Sequence, residues 1–214
     1  PIVTYFLIGL CVVVFLVQLG SQSYKTGQLF YSYGLIPSVL MGHDQLPMDL
    51  YVVPAYMTIF SSMFMHGGWM HLIGNMWYMK IFADNIEDNL GSKNFIIFYI
   101  LCGIGAAMAQ VLMNTHSQVP MVGASGAIGG VLGAYLINHP NARVLVLIPY
   151  IIITIIKIRA LYVLGFWFIL QFISSDGGVA YAAHIGGFVS GMILILFFNK
   201  KTKRKSKVVK GPWG

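Results

Sequence analysis

The sequence predicts an all-α polytopic membrane protein, and three observations carry that prediction. Hydrophobic residues make up 57% of the 214-residue chain and charged residues only 9%, against roughly 25% charged in a soluble domain. Apolar runs fit for helices recur at about 2–19, 61–84, 94–114, 125–139, 160–175 and 179–199, and crossing the hydrocarbon takes about 20 residues, with a range near 17–25. No polar or Pro/Ser-rich linker divides the runs, so the length suits one helical bundle over 1–199, followed by a basic tail at 200–214.

Each element has its own justification. The first run has no positive stretch before it and no small-residue cleavage site after it, so it reads as a span and not as a signal peptide. The loop at about 20–60 is rich in Tyr, Phe, Met and Pro and is expected to rest partly in the membrane interface. Asp84, Glu87 and Asp88 read as a loop at the cytoplasmic end of the second run. Val144–Ile156 holds about 13 apolar residues, broken by Pro149 and bounded by Arg143 and Lys157/Arg159, a length that fits an interfacial or re-entrant segment better than a crossing. Counting it as a span would set the basic tail opposite Lys80, Lys93 and Arg143. Six spans leave only Lys25 on the far side, so both termini are expected in the cytoplasm.

The formal net charge is +7, but seven of the thirteen basic residues lie between Lys200 and Lys210. A basic tail just after an apolar helix marks a cytoplasmic membrane flank with affinity for anionic lipid, which argues against nucleic acid as a partner. Cys11 and Cys102, inside apolar runs, read as small packing residues.

With six spans, the second, fourth and sixth runs all start from the outer side, which puts His71, Ser125 and His184 in the same half of the bilayer. Ser125 opens a run of about 15 residues, roughly 22 Å as a helix. That is shorter than the ~30 Å hydrocarbon core, so Ser125 is expected below the outer surface, with the loop 115–124 dipping into a cavity.

Hydroxyls and imidazoles in lipid cost several kcal/mol unless they find partners, so those inside apolar runs are functional candidates. Ser125 stands in Gly123-Ala124-Ser125-Gly126, and His184 in Ala183-His184-Ile185-Gly186-Gly187. Gly129 and Gly133 follow Ser125 at i+4 and i+8, while Gly187 and Gly191 follow His184 at i+3 and i+7. Small residues let helices approach closely in lipid. A plain glycine packing face with an incidental serine is the simpler reading of the first stripe, and the matching stripe under His184 weighs against it. An imidazole beside a serine hydroxyl can take its proton during nucleophilic attack. No carboxylate is placed to complete a triad, since Asp84 stands at the cytoplasmic end of the second run, far from the serine, and Asp44, Asp49 and Asp176 read as loop residues. A dyad is therefore expected, with His184 held by packing or a neutral hydrogen bond. His71 and Asn75, at i and i+4, share a helix face and can aim donors at an oxyanion, with the Ser125 backbone N–H at a helix start as a third. Gly123 and Gly126 support the serine, and His66, five residues before His71, reads as structural. No His-Glu-x-x-His motif occurs and no Cys, Asp or Glu partners the histidines within the runs, so neither metal nor cofactor is expected.

These motifs resemble those of the rhomboid intramembrane serine proteases: His66-x4-His71-x3-Asn75, Gly123-Ala124-Ser125-Gly126 and Ala183-His184-Ile185-Gly186-Gly187, in that order on alternate runs. The resemblance covers essentially the whole chain. It implies a six-transmembrane-helix rhomboid-like bundle with Ser125 as nucleophile, His184 as general base then acid, and His71 and Asn75 with backbone amides as oxyanion stabilisers. It also implies an endopeptidase, free of metal and ATP, that cuts transmembrane protein substrates near the outer face of the bilayer. The compact six-helix form suggests a bacterial plasma membrane, and oligomeric state is left open. Gly165-Phe166-Trp167-Phe168 in the fifth run resembles the family's lateral gate, and Glu87 a structural position. The chain departs from some members in two places. Gly129 stands where they carry an aromatic residue stacked on the histidine, and the loop 20–60 lacks their Trp-Arg pair. A client-binding relative without proteolysis is disfavoured by the presence of both Ser125 and His184. A transporter is disfavoured by the lack of an inverted repeat or an intramembrane acid.

Overall fold

In a computed structural model, residues 1–22, 27–149, 153–173 and 180–199 are described; the expectations for Lys25, Asp176 and the basic tail 200–214 fall outside them. The apolar runs fold as six helices of 14 residues or more: α1 (Ile2–Gly20), α2 (Trp69–Leu90), α3 (Ser92–Met113), α4 (Ser125–Asn138), α5 (Ala160–Ile173) and α6 (Tyr181–Asn199). Of these, α1, α3 and α6 are long and apolar enough to cross a membrane. The 22-residue α2 includes Lys80, Asp84, Glu87 and Asp88. At 14 residues, α4 reaches about 21 Å, short of a ~30 Å core. Val17, Trp77, Leu112, Phe166 and Phe197 are each more than half exposed on the outer helix faces. Such a surface suits hydrocarbon as its solvent and not water.

Two expectations are corrected. The second apolar run does not form a helix from 61 to 84. The segment 62–64 is a 3-10 turn, Gly67-Gly68 interrupts, and α2 runs from Trp69 to Leu90. Asp84, Glu87 and Asp88 therefore lie on its last turns, not in a loop. Glu87 explains the extension. It is buried, and its carboxylate accepts hydrogen bonds from the Val3 N–H (3.0 Å), the Thr4 N–H (2.7 Å), the Thr4 hydroxyl (2.7 Å) and the Ser92 hydroxyl (2.5 Å). The first N–H groups of a helix have no partner within it, and a carboxylate there also meets the positive end of the helix dipole. One side chain thus ties the starts of α1 and α3 to the end of α2.

The all-α expectation fails over 143–159. There the chain forms two antiparallel strands, β1 (Arg143–Pro149) and β2 (Ile153–Arg159), in a register that sets Arg143 opposite Arg159 and Val146 opposite Ile156. The segment is rich in β-branched residues, among them Val144, Val146, Ile155, Ile156 and Ile158, which favour a pleated surface over a helix.

The central element is α4, buried without a break from Gly126 to Tyr135. It packs against α2, α3, α5 and α6, most extensively against α6. The α4–α6 seam has no space for a side chain. A Cβ on Gly187 would overlap the Gly126 carbonyl oxygen, and one on Gly191 would overlap that of Gly130. Cys11 and Cys102 are free thiols, fully buried. The loop 20–60 is held at its middle. Leu35 and Met121 exchange backbone hydrogen bonds (3.0 and 2.8 Å), the Ser38 N–H donates to the Ser117 carbonyl (3.0 Å), and the Ser61 hydroxyl to the Tyr33 carbonyl (2.7 Å). Gly187→Ala should lower stability by about 2 kcal/mol or more, since overpacking costs about 1–3 kcal/mol and here the obstacle is backbone. Gly9→Ala, whose Cβ meets nothing within 4 Å, should leave it unchanged or higher. Thermal melting in detergent checks both.

Candidate active site

The site begins with the turn that delivers Ser125 to the first position of α4. Gly123 enters it with φ +129 and donates its N–H to the Ser62 carbonyl at 2.8 Å. That φ is closed to most side chains, and a Cβ there would stand 2.6 Å from His71 Nε2. Glycine is therefore required twice over, by conformation and by the close passage of the chain over the imidazole. At the start of α6, the Ala183 N–H donates to Gln110 Oε1 of α3 at 3.2 Å, which satisfies one of the helix's unpaired amides.

The α4–α6 seam brings Ser125 Oγ to 2.8 Å from His184 Nε2. The other ring nitrogen, Nδ1, lies 2.7 Å from Gln171 Oε1 on α5. Gln171 Nε2 in turn donates to the Trp167 carbonyl oxygen at 2.8 Å. A carbonyl can only accept, so the amide NH2 must face Trp167 and Oε1 must face the imidazole. His184 therefore carries its proton on Nδ1, and its bare Nε2 accepts from the serine hydroxyl. The Trp167 ring lies alongside the imidazole, centroids 5.8 Å apart at 35°. Position 129 is tight, since a Cβ there would stand 3.0 Å from the His184 carbonyl oxygen.

Ser125 and His184 open onto a cavity of about 770 Å³, whose walls include His71, Asn75, Gln110 and Trp167. Asn75 is buried, and its Nδ2 has no partner among the described residues. The Gly67 N–H points at His71 Nδ1 at 3.4 Å, which leaves the ring proton on Nε2, the nitrogen beside Gly123. His71 and Asn75 thus line the same cavity as Ser125. His66 is not on its wall. It is fully buried behind His71, with ring centroids 5.2 Å apart, edge to face. Gln18 of α1 brackets it, donating from Nε2 to the His66 carbonyl (3.0 Å) and accepting the His66 N–H on Oε1 (3.1 Å). Gly126 packs against Ala106 and Ala183 below the serine. Among the described residues, no three His, Cys, Asp or Glu side chains cluster as a metal site would need.

Sequence reasoning passed over Gln18, Gln110 and Gln171, which tie α1, α3 and α5 to the site. Their signal was an uncharged amide inside an apolar run. Such a group needs a hydrogen-bond partner in lipid as a hydroxyl does.

A family profile described as "Rhomboid domain" matches residues 54–201. Among similar proteins, RHOMBOID-like protein 5 of Arabidopsis thaliana is 30% identical over 137 residues, 64% of this chain and 42% of its own length. Rhomboid protease GluP of Bacillus subtilis is 29% identical over 194 residues, 89% of this chain and 34% of its own. Rhomboid protein 1, mitochondrial, of Saccharomyces cerevisiae is 26% identical over 168 residues, covering 72% and 45%. The chain spans about half or less of the length of these relatives.

A serine-reactive fluorophosphonate should label Ser125 in the native protein, detected by mass spectrometry of the modified peptide. Labelling should vanish in His184→Ala and slow by about tenfold or more in Gly123→Ala, where a misplaced reacting group is expected to carry costs of that order.

Proposed function

This chain belongs to the rhomboid family, and on that premise we propose that it is an intramembrane serine endopeptidase, hydrolysing peptide bonds in or near transmembrane segments of other proteins through a Ser125–His184 dyad. The observation that carries the reading is the 2.8 Å hydrogen bond between Ser125 Oγ and His184 Nε2 at the wall of a cavity. Relatives named as rhomboid proteases support the same class of activity.

In the first step Ser125 Oγ attacks the scissile carbonyl carbon while its proton passes to His184 Nε2. The new C–O bond leaves a negative charge on the former carbonyl oxygen. Asn75 Nδ2–H, His71 Nε2–H and the Ser125 backbone N–H are the donors for it, and the unpartnered state of Asn75 Nδ2 supports that assignment. His184 then gives the proton to the leaving amine as the C–N bond breaks, and an ester remains on Ser125. A water attacks the ester with His184 again as base, releasing the carboxylate and returning the hydroxyl. Gly123 and Gly126 shape the turn and its packing, and His66 backs His71. A substrate helix must expose its peptide bond to reach Ser125, so helix-weakening Gly or Pro near the cut favours cleavage.

The six helices serve as six membrane passages in this reading. The short α4 starts inside the bilayer, so that the cavity admits water from the outer side. Lys80, Lys93 and Arg143 then fall on the side of both termini, the cytoplasmic side by the excess of basic residues. Relatives named for mitochondria and chloroplasts stand beside those of B. subtilis, so the names carry the reading to a membrane and not to one compartment.

Reconstituted in liposomes with a transmembrane substrate, Ser125→Ala and His184→Ala should show no cleavage above background; turnover at the native rate in either would reject the dyad. Asn75→Ala should lose about 10²–10³ in kcat, the cost of one oxyanion donor elsewhere. A reporter fused after Lys210 should be found on the cytoplasmic side, and an outer location would overturn the six-passage topology.

A further inference from the structure

We infer that Gln171 is the positioning residue for His184, a neutral side chain on α5 standing where a triad would place a carboxylate. This rests on the dyad reading above and specifies what holds its base. The geometry has three parts. Gln171 Oε1 lies 2.7 Å from His184 Nδ1, the nitrogen turned away from the serine. Its own amide is fixed by the 2.8 Å bond to the Trp167 carbonyl one turn earlier, so it presents an acceptor and not a donor. Gln171 is 9% exposed and Trp167 flanks the same imidazole, so water competes little for the bond and the ring has little room to turn.

The consequence is a defined tautomer. An imidazole with its proton on Nε2 faces the serine hydroxyl with a donor and cannot accept its proton. With Nδ1–H bound to Gln171, Nε2 is always the free base. When Nε2 takes the serine proton, the imidazolium keeps its Nδ1–H bond to the amide oxygen, so the same contact orients the ring through both halves of the reaction. A neutral acceptor does this without burying a negative charge among apolar helices, which lipid penalises heavily. The dependence also makes the base a property of three helices. Ser125 comes from α4 and His184 from α6, and α5 supplies the orientation.

Three substitutions test it: Gln171→Met, which keeps volume but cannot accept from Nδ1; Gln171→Glu, which keeps acceptors; and Ser125→Ala as the blank. The readouts are fluorophosphonate labelling of Ser125, and kcat and KM for a transmembrane substrate across pH 5–9. Among the described residues, the titratable groups around the ring are His71 and Tyr78 on the cavity wall and Tyr181 on its own helix, and all three variants keep them. The Met variant should fall about 10- to 100-fold in kcat and labelling rate, by analogy with the loss of a partner that orients a metal-bound histidine, with KM within about twofold of native. The Glu variant should recover most of the lost kcat, and its carboxylate should move the acid limb of the pH–rate profile to higher pH by stabilising the imidazolium. Native rates in the Met variant, equal losses in Met and Glu, a loss carried by KM alone, or an unmoved acid limb would each overturn the assignment. Absence of labelling at Ser125 in the native protein would instead reject the dyad itself.

Discussion

The rest of the site depends on the seam between α4 and α6. In hydrocarbon there is no hydrophobic force to press helices together, so close packing and interhelical hydrogen bonds must hold them. Gly126 and Gly130 of α4 face Gly187 and Gly191 of α6 with carbonyl oxygens where side chains would otherwise be. That approach sets Ser125 and His184 within hydrogen-bonding reach. It also makes position 129 tight, since a Cβ there would stand 3.0 Å from the His184 carbonyl oxygen, and the histidine takes its lateral support from another helix. Trp167 and Gln171 of α5 supply it. The seam thus decides where the reacting groups meet and what can hold them there.

Around the seam, polar side chains act as ties between elements and not as isolated groups. Glu87 gathers the starts of α1 and α3 onto α2. Gln18 grips both backbone groups of His66, and through that ring steadies His71. Gln110 pairs an open amide at the start of α6. Each satisfies backbone groups that lipid would leave unpaired, at a cost of several kcal/mol apiece. Gln110 lines the cavity and Gln18 holds His66 behind His71, so two of these ties stand next to the site, while Glu87 fastens the opposite end of α2.

Much of this was legible in the sequence, for physical reasons. The meeting of Ser125 with His184 was foreshadowed because hydroxyl and imidazole are conspicuous in apolar runs, and because glycines recur under both at helical spacing. The start of α4 was legible from Gly123-Ala124-Ser125-Gly126, and its short length from the run that follows. The strands at 143–159 were hidden because a 13-residue apolar run gives no period that separates strand from helix, although its β-branched residues pointed that way. The length of α2 was misread because Asp84, Glu87 and Asp88 look like a loop; only the fold reveals that Glu87 turns inward to meet α1. Gln171 was passed over because a lone amide gives no spacing signal, and its partner lies on a different helix.

The proposed function rests on the Ser125 hydroxyl held against the His184 imidazole at the wall of the cavity. An experimental structure of the protein in a lipid bilayer after reaction with a phosphonate inhibitor tests it most directly. The account predicts a covalent bond from Ser125 Oγ to phosphorus, with a phosphonyl oxygen within hydrogen-bond reach of Asn75 Nδ2 and the His184 ring turned toward the adduct. A phosphonate bound elsewhere, or a Ser125 adduct whose oxygen points away from Asn75 with His184 rotated out of the cavity, would contradict it.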